Sequence, residues 1–282
     1  MAKIVYGQPV ADELFNDLQS KVSYLNRFDK EARFIQVGEN AGSDIYVRNK
    51  LKFCAKLGLS PILTKFTSNT NYNDLCDFLA NSNSPTMLQF PVELNGISSY
   101  NQFDFLDYIK SDIDGLSFKN GAYLYDMNFT KGIVPCTAKA VMDILSFYDY
   151  DLSGKVVLIA GKSRLVGKPL IMLMLDSGAT VLSINSKTPK KKVKELLKTA
   201  DVLVSAIGVP KYFDSTLVPD TLEFIVDVGI NKTSDGKIVG DIDPKLYDEL
   251  PDSTLITPVP KGVGVVTVAN VAYNILKLRG AL

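Results

Sequence analysis

Residues 155–170 read KVVLIAGKSRLVGKPL, and the way this stretch folds decides the architecture of the chain. A run of β-formers ends in Gly161, Lys162 and Ser163, after which Gly167, Lys168 and Pro169 open a segment of helical character. A strand that turns tightly into a helix presents outward-pointing N-terminal amides, where a phosphate can be held. ATP is disfavoured as its owner. A Walker A loop needs four residues between its glycines and a hydroxyl after the lysine, whereas five separate Gly161 from Gly167 and Pro169 stands at the hydroxyl position. A dinucleotide fingerprint fits better, although Ser163 replaces its second glycine, and an ordinary tight βα turn matches the same pattern.

Working outward from this turn, strands are expected near 155–160, 180–184, 202–206 and 223–228, with helices between them. One helix follows Thr188 and Pro189, read as an N-cap and a first-turn proline. Upstream, apolar periodicity predicts helices over 9–25, 43–58, 72–82 and 101–110, and strands over 32–38, 61–66 and 86–90. Ser43 is read as the cap of the 43–58 helix and Gly58 as its left-handed terminator. After SDIDG (111–115) comes a loop rich in Gly and Asn, then a helix over 135–148 capped by Thr137. This βαβ rhythm predicts an α/β fold with parallel sheets. Two domains are expected: an N-terminal α/β catalytic domain over 1–125 and a Rossmann-type domain over 135–262. The last helix, 266–282, follows a Pro- and Gly-rich loop and returns to the first domain.

Composition narrows the chemistry. Of 282 residues, 46% are hydrophobic and 22% charged, enough for a sizeable core. Basic and acidic residues balance at 31 each, so no global field attracts nucleic acid or a membrane. Cys54, Cys76 and Cys136 are scattered, and the N-terminus lacks the blocks of a signal peptide, so a soluble, cytoplasmic protein is expected. Histidine is absent, which excludes imidazole bases, Ser-His-Asp triads and HExxH metal sites. No metal centre is expected, and Lys, Asp, Glu, Tyr or Cys must move any proton.

Three groups of residues carry candidate chemistry. Tyr46 and Lys50 are four apart on the 43–58 helix and project together; such a pair is also a common surface feature. Arg48 and Lys52 lie nearby, and crowding of like charge lowers a lysine pKa from about 10.4 toward that of a base. Gln89 sits inside the apolar run TMLQF near its C-terminal end, where parallel sheets bind ligands and a buried amide demands partners. In SDIDG, Asp114 is a candidate ligand group, and a turn-capping role accounts for at least one of Asp112 and Asp114. About twenty residues beyond the glycine turn, TVLSI runs into Asn185, Ser186, Lys187 and Thr188, without the acidic residue of an NAD site. A hydroxyl beside cations suits a 2′-phosphate, Lys162 adds a cation in the turn itself, and a solvated helix start explains the lysines equally simply.

Taken together, YVRNKLKFCAKLG, QFP, DIDG, PCT, GKSRLVGKP, INSKT, VDVGIN, GKIVGDID and ITPVPKGVGVVTVANV resemble the bifunctional methylenetetrahydrofolate dehydrogenase/cyclohydrolase family, in its order, from about residue 43 to 275. The resemblance implies oxidation of 5,10-methylenetetrahydrofolate with NADP, hydrolysis of the methenyl product to 10-formyltetrahydrofolate, and a homodimer. It implies that Lys50 is central to the cyclohydrolase step, that Gln89 orients it, that Tyr46 stacks on the folate and that Asp114 binds the amino edge of the pterin. It assigns Lys162, Ser163 and Ser186 to the adenosine phosphate of NADP, and Thr137, Gly161, Gly208, Ile230 and Thr267 to the rest. Pro260 and Gly262 belong to the folate-contacting loop, and Cys136 is read as a packed small residue beside the cofactor. A cleft between the domains is expected to hold both ligands. Two departures stand out: Phe90, Pro91, Val92 and Glu93 replace Leu-Pro-Leu-Pro, and Lys261 and Val265 replace a glycine and a proline of the folate loop. The two-domain build alone also fits another NADP dehydrogenase, of shikimate dehydrogenase type, or a non-catalytic folate or nucleotide binder.

Overall fold

The computed structural model describes residues 1–98, 101–233 and 236–282. Its elements in chain order begin with β1 (Lys3–Ile4), α1 (Gly7–Ser23), β2 (Glu31–Val37), α2 (Ala41–Leu57), β3 (Ser60–Phe66), α3 (Tyr72–Ala80) and β4 (Thr86–Leu88). A 3₁₀ helix (Asn101–Tyr108), α4 (Phe118–Tyr125) and α5 (Cys136–Phe147) follow. The second alternation is β5 (Val156–Ala160), α6 (Gly167–Asp176), β6 (Thr180–Ile184), α7 (Lys190–Leu197), β7 (Val202–Ser205) and β8 (Phe224–Asp227). The chain closes with β9 (Asn231–Lys232), β10 (Ile238–Val239), α8 (Leu246–Glu249), β11 (Leu255–Ile256) and α9 (Val263–Leu278).

Two compact units result. One comprises Met1–Asp12 and Thr137–Thr267, the other Glu13–Cys136 and Val268–Leu282. In the first, runs such as VLVS and FIVD are buried at every residue, as inner strands covered on both faces must be. They build a six-stranded parallel sheet in the order β1-β11-β8-β7-β5-β6. Taken by chain order, β5, β6, β7, β8 and β11 lie 2-1-3-4-5, the doubly wound order whose switch point falls between β5 and β7. Lys3 and Ile4 pair with Leu255 and Ile256, and the first twelve residues belong to this unit and not to the one formed by Glu13–Cys136. Two-residue strands carry no readable periodicity, which hid both β1 and β11 from the sequence.

In the second unit, β3, β2 and β4 form a three-stranded parallel sheet with β2 in the middle. Its core joins Leu18, Phe34, Cys54, Met87 and Ile113 to Val271, Ile275 and Leu276, so α9 packs on this unit as the sequence predicts. Several boundaries differ from expectation. Asn40 caps α2, its side chain accepting from the Ser43 amide, and Gly58 ends the helix at φ 97°. Thr137 lies inside α5, one residue past its first, and is therefore not at the N-cap position the sequence predicts. Pro189 occupies the N-cap position of α7, while the Thr188 hydroxyl accepts from the Asn185 amide at 3.2 Å. The 101–110 helix is a 3₁₀ helix, and the expected loop after SDIDG contains α4, capped by Ser117. Among the described residues, no helix is long and apolar enough to cross a membrane, and no Cys, Asp and Glu side chains gather to hold a metal ion.

Candidate active site

In the smaller-sheet unit, α2 carries Tyr46 and Lys50 on one face, and β4 ends at Leu88 just before Gln89. Lys50 is only 7% exposed, yet its ammonium is directed: Nζ donates to Gln89 Oε1 at 2.9 Å and lies 3.3 Å from Met87 Sδ. Gln89 is itself oriented, because its Nε2 donates to the Phe90 carbonyl at 2.7 Å and so turns Oε1 toward the lysine. Gln89 therefore lies one residue beyond the strand and is half-buried, where the sequence predicts it inside the strand. Arg48 and Lys52 are exposed and two positions from Lys50, so they point away from it and the expected crowding of like charge is not found. Tyr46 is half-buried, which raises its phenol pKa.

A clasp steadies this cluster. Asn40 Oδ1 accepts from the Ser43 amide at 3.0 Å while its Nδ2 donates to Glu93 Oε1 at 2.9 Å. The start of α2 is thereby tied to the segment that follows Gln89. Glu93, a departure from the family pattern, thus gives Asn40 an acceptor that proline could not supply.

The two aspartates of SDIDG separate cleanly. Asp112 is 3% exposed; its Oδ1 accepts from the Asp114 amide at 3.1 Å and its Oδ2 from the Ser117 amide at 2.7 Å. Burial pushes its carboxyl up to about 6 against the pull of those backbone donors. It is the turn-forming residue, and Asp114 lies half-exposed beside it. Both Cys136 and Cys54 feel the Lys50 charge, so Lys50, Asp114 and Cys136 belong to one neighbourhood. Burial drives the Cys54 thiol up to about 12 and the Cys136 thiol well above its usual range, so neither is a nucleophile. A cavity of about 490 Å³ in this unit is lined by Leu106, Asp112, Asn120, Tyr123 and Lys277 but by none of Lys50, Gln89 or Asp114, so it lies apart from this chemistry.

The second set of candidates surrounds the switch point of the larger sheet. Gly161 has φ 118°, and a Cβ there would meet the Ala206 carbonyl at 2.5 Å, so the turn after β5 closes against the loop after β7 only with glycine. Its amide bonds the Ile184 carbonyl at 3.0 Å, tying this turn to the end of β6. Lys162, Ser163, Ser186 and Lys187 are exposed around these strand ends. Asn185 folds the INSKT loop by accepting from the Lys187 amide at 3.0 Å, which leaves Ser186 at its tip. This donor set and its cations fit a dinucleotide with an additional phosphate. The helix amides offer less than the sequence suggests. Ser163 Oγ accepts from the Val166 amide, Ser163 O from the Lys168 amide, and Pro169 has no N–H.

Two buried carboxylates that sequence reading missed hold the loops in place. Asp241 accepts from Ser205 Oγ at 2.8 Å, from the amides of Ile207, Gly208 and Val209 at 2.9, 3.3 and 3.0 Å, and from Asn231 Nδ2 at 3.0 Å. The Gly208 amide is thus already engaged by Asp241. Asp227 accepts from the amides of Gly229, Asp241 and Ile242, and burial lifts its carboxyl to about 7. DVGIN and VGDID are read by this clasp: a Cβ at Gly229 would strike Asp241, and one at Gly240 would strike Asp227. An acid in an apolar strand, with a glycine within two residues, was the available signal. Of the remaining candidates, Ile230 and Pro260 are exposed, Gly262 is buried, and Thr137 and Thr267 are half-buried, the Thr267 hydroxyl bonding the Val263 carbonyl at 3.1 Å.

A doubly wound sheet with a basic, hydroxyl-bearing switch point and a second α/β unit holding a buried, oriented lysine define a two-unit nucleotide-dependent enzyme class. Residues 135–281 match the model of the tetrahydrofolate dehydrogenase/cyclohydrolase NAD(P)-binding domain. The chain belongs to this family. It is 35% identical over 280 residues to bifunctional protein FolD of Campylobacter concisus, covering 96% of this chain and 95% of that protein. The crystal structure of bifunctional FolD from Campylobacter jejuni superposes with a TM-score of 0.89 at 30% identity, covering all of both chains. The Trypanosoma brucei dehydrogenase-cyclohydrolase, solved with NADP cofactor and inhibitor, gives 0.88 at 27% identity, covering 98% and 97%.

Proposed function

We infer that this chain is an NADP-dependent methylenetetrahydrofolate dehydrogenase and methenyltetrahydrofolate cyclohydrolase, acting on tetrahydrofolate one-carbon derivatives. The observation that carries the reading is the buried Lys50 ammonium aimed by Gln89. When bound, NADP supplies the hydride acceptor for the first reaction; Gly161, Lys162, Ser163 and Ser186, with Thr137, Gly208, Ile230 and Thr267, are the residues to hold it. The oxidation asks the protein mainly for orientation, since the substrate nitrogens stabilise the developing cation. Hydration of the methenyl carbon and ring opening need proton transfer, and in a chain without histidine Lys50 performs it. Gln89 fixes the lysine, Tyr46 supplies a face for the ring, Asp114 takes its amino edge, and Pro260 and Gly262 border the substrate. The enzyme works as a homodimer in the cytoplasm, without nucleic-acid or membrane partners; sedimentation tests the dimer.

Methenyl and NADPH formation, followed spectroscopically with NADP and with NAD, tests the reading, and Lys50→Ala separates its halves. The variant is expected to lose cyclohydrolase activity by about 10²- to 10⁴-fold while retaining hydride transfer. Hydrolysis of the methenyl compound at the normal rate by Lys50→Ala contradicts the role of Lys50.

A further inference from the structure

Lys50 and Gln89 stand on different elements, so the 2.9 Å bond between them depends on how α2 lies against the segment that follows β4. That segment hangs from β2 by its backbone: the Gln89 amide donates to the Ile35 carbonyl at 2.8 Å and the Glu93 amide to the Val37 carbonyl at 3.2 Å. Glu93 is pressed onto the strand end, because a Cβ at Gly38 would lie 2.5 Å from the Glu93 Cβ. From there its carboxylate accepts from Asn40 Nδ2 at 2.9 Å, while Asn40 Oδ1 caps α2 through the Ser43 amide. Ser43 is buried, and its hydroxyl donates at 3.5 Å to the Phe90 carbonyl, the same oxygen that holds the Gln89 side chain. Ser43, Tyr46 and Lys50 follow one face of the helix at spacings of three and four. Asp44, accepting from Gln36 Nε2 and Lys65 Nζ, ties the same turn to β2 and β3. Asn40 and Ser43 instead reach the segment that carries Gln89. Capping alone does not call for an asparagine: aspartate caps as well, and its charge is favoured at a helix N-terminus. What the asparagine adds is a donor on the far side of the cap, placed where Glu93 accepts it.

We propose that Asn40 and Glu93 form a positioning clasp that sets the register of α2 against Gln89, and with it the alignment of Lys50 for the cyclohydrolase step. The inference rests on the reading of Lys50 as the proton-transfer group. Lys50 follows Asn40 on one continuous helix, so a shift or rotation at the cap is carried to it over about 15 Å. Neither Asn40 nor Glu93 is catalytic; both act through the bond between Lys50 and Gln89. Hydride transfer needs no proton from Lys50 and lies outside the reach of the clasp.

The test compares full-length Asn40→Asp, Glu93→Ala, Glu93→Gln, the Asn40→Asp/Glu93→Gln double variant and Lys50→Ala by cyclohydrolase kcat, dehydrogenase kcat and Tm. Asn40→Asp keeps the cap but sets a second carboxylate against Glu93, and Glu93→Ala removes the acceptor without adding charge. Each is expected to lower cyclohydrolase kcat about 5- to 20-fold, with dehydrogenase kcat within about twofold of the wild type. Glu93→Gln keeps an acceptor oxygen and stays close to the wild type. The double variant reverses the bond, the introduced glutamine amide donating to the introduced aspartate, and should recover cyclohydrolase kcat to within about threefold of the wild type. A capping role alone predicts a harmless Asn40→Asp, and a merely structural role predicts that both activities fall together with Tm. Either pattern, or a double variant no better than Asn40→Asp, overturns the clasp while a damaged Lys50→Ala leaves the reading of Lys50 intact. Normal cyclohydrolase activity in Lys50→Ala overturns that reading and the clasp with it.

Discussion

Lys50 is buried with its partners in van der Waals and hydrogen-bond contact, whereas Lys162 stands in solvent at the end of β5. The two regions use burial in opposite ways. Around Lys50, the candidate functional group itself is desolvated and neighbours orient it. Around the switch point, the candidate functional groups are exposed, and the buried polar residues, Asp227 and Asp241, face the loops that carry them. Proton transfer requires a group held in position, which burial and partners provide, while recognition of a charged dinucleotide uses donors at the surface of stiff loops. One region buries the candidate group itself, and the other buries the residues that brace its loops.

The strongest way to break this contrast is Asp241→Ala. Removing a carboxylate that accepts from three consecutive loop amides, a hydroxyl and a side-chain amide leaves those donors without their acceptor. A loss of about 3–5 kcal/mol is expected, read as a fall of about 10 °C in Tm, with weaker NADP binding by titration. A variant that melts like the wild type would mean the loops are held by other means. At the other region, Gln89→Leu removes only an orienting acceptor from a half-buried site. Its Tm should fall by a few degrees, less than in Asp241→Ala, because the buried Lys50 ammonium loses its oxygen acceptor, while cyclohydrolase turnover falls about 10- to 100-fold; equal loss of both activities would show that Gln89 does more than aim Lys50. Ser186→Asp sets an anion at the tip of INSKT, and the NADP-to-NAD preference should fall about tenfold or more. An unchanged ratio in steady-state kinetics would remove Ser186 from the phosphate site.

The contrast also explains what could be read in the sequence. Strands such as VVLIA announce themselves as unbroken apolar runs, and helices such as YNDLCDFLA by apolar spacing along one face. Tyr46 and Lys50 share a face for the same reason, and the spacing alone brings them together. Gln89 was visible as a polar residue ending an apolar run, but its partner lies 39 residues away and no local rule supplies it. Caps are ambiguous where two polar residues compete: Asn40 and Ser43 both suit a helix start, and the Glu93 carboxylate favours Asn40. The clasp of Asp227 and Asp241 is a long-range contact written only as polar residues in apolar settings. β1 and α4 were lost because two residues, or eight with little charge contrast, give no pattern to count.

Both buried acids predict a pH signature. Asp112 and Asp227 hold their protons more tightly folded than unfolded, about 6 and about 7 against 3.8. The folded state therefore binds more protons between roughly pH 4 and 7, and their contribution to stability, complete below that window, is lost as pH rises through it. Asp44, Asp214 and Glu223 shift downward and act only at lower pH, where stability is lost as pH falls. Denaturant midpoints for Asp112→Asn, measured from pH 4.5 to 7.5, should approach or overtake the wild type as pH rises. A constant difference across the range would mean that Asp112 does not titrate there.

The smallest effect expected is at Lys261, which replaces a family glycine yet keeps the glycine conformation at φ 83°. Its carbonyl accepts from the Gly7 amide at 2.9 Å, so the backbone is held where a side chain is unwelcome. A left-handed non-glycine residue costs about 1–2 kcal/mol, and glycine returns about 0.4–1 kcal/mol of that through the greater freedom of its unfolded chain. Lys261→Gly should therefore stabilise the protein by about 0.5–1 kcal/mol, a Tm rise of about 1–3 °C. Because the lysine is exposed, its ammonium is also available to an anionic substrate tail. If the side chain is retained for binding, the folate KM rises as stability rises, and the two readouts move apart. A more stable variant with an unchanged KM would make Lys261 a tolerated strain, and one no more stable than wild type would mean that the bond from Gly7 already absorbs it.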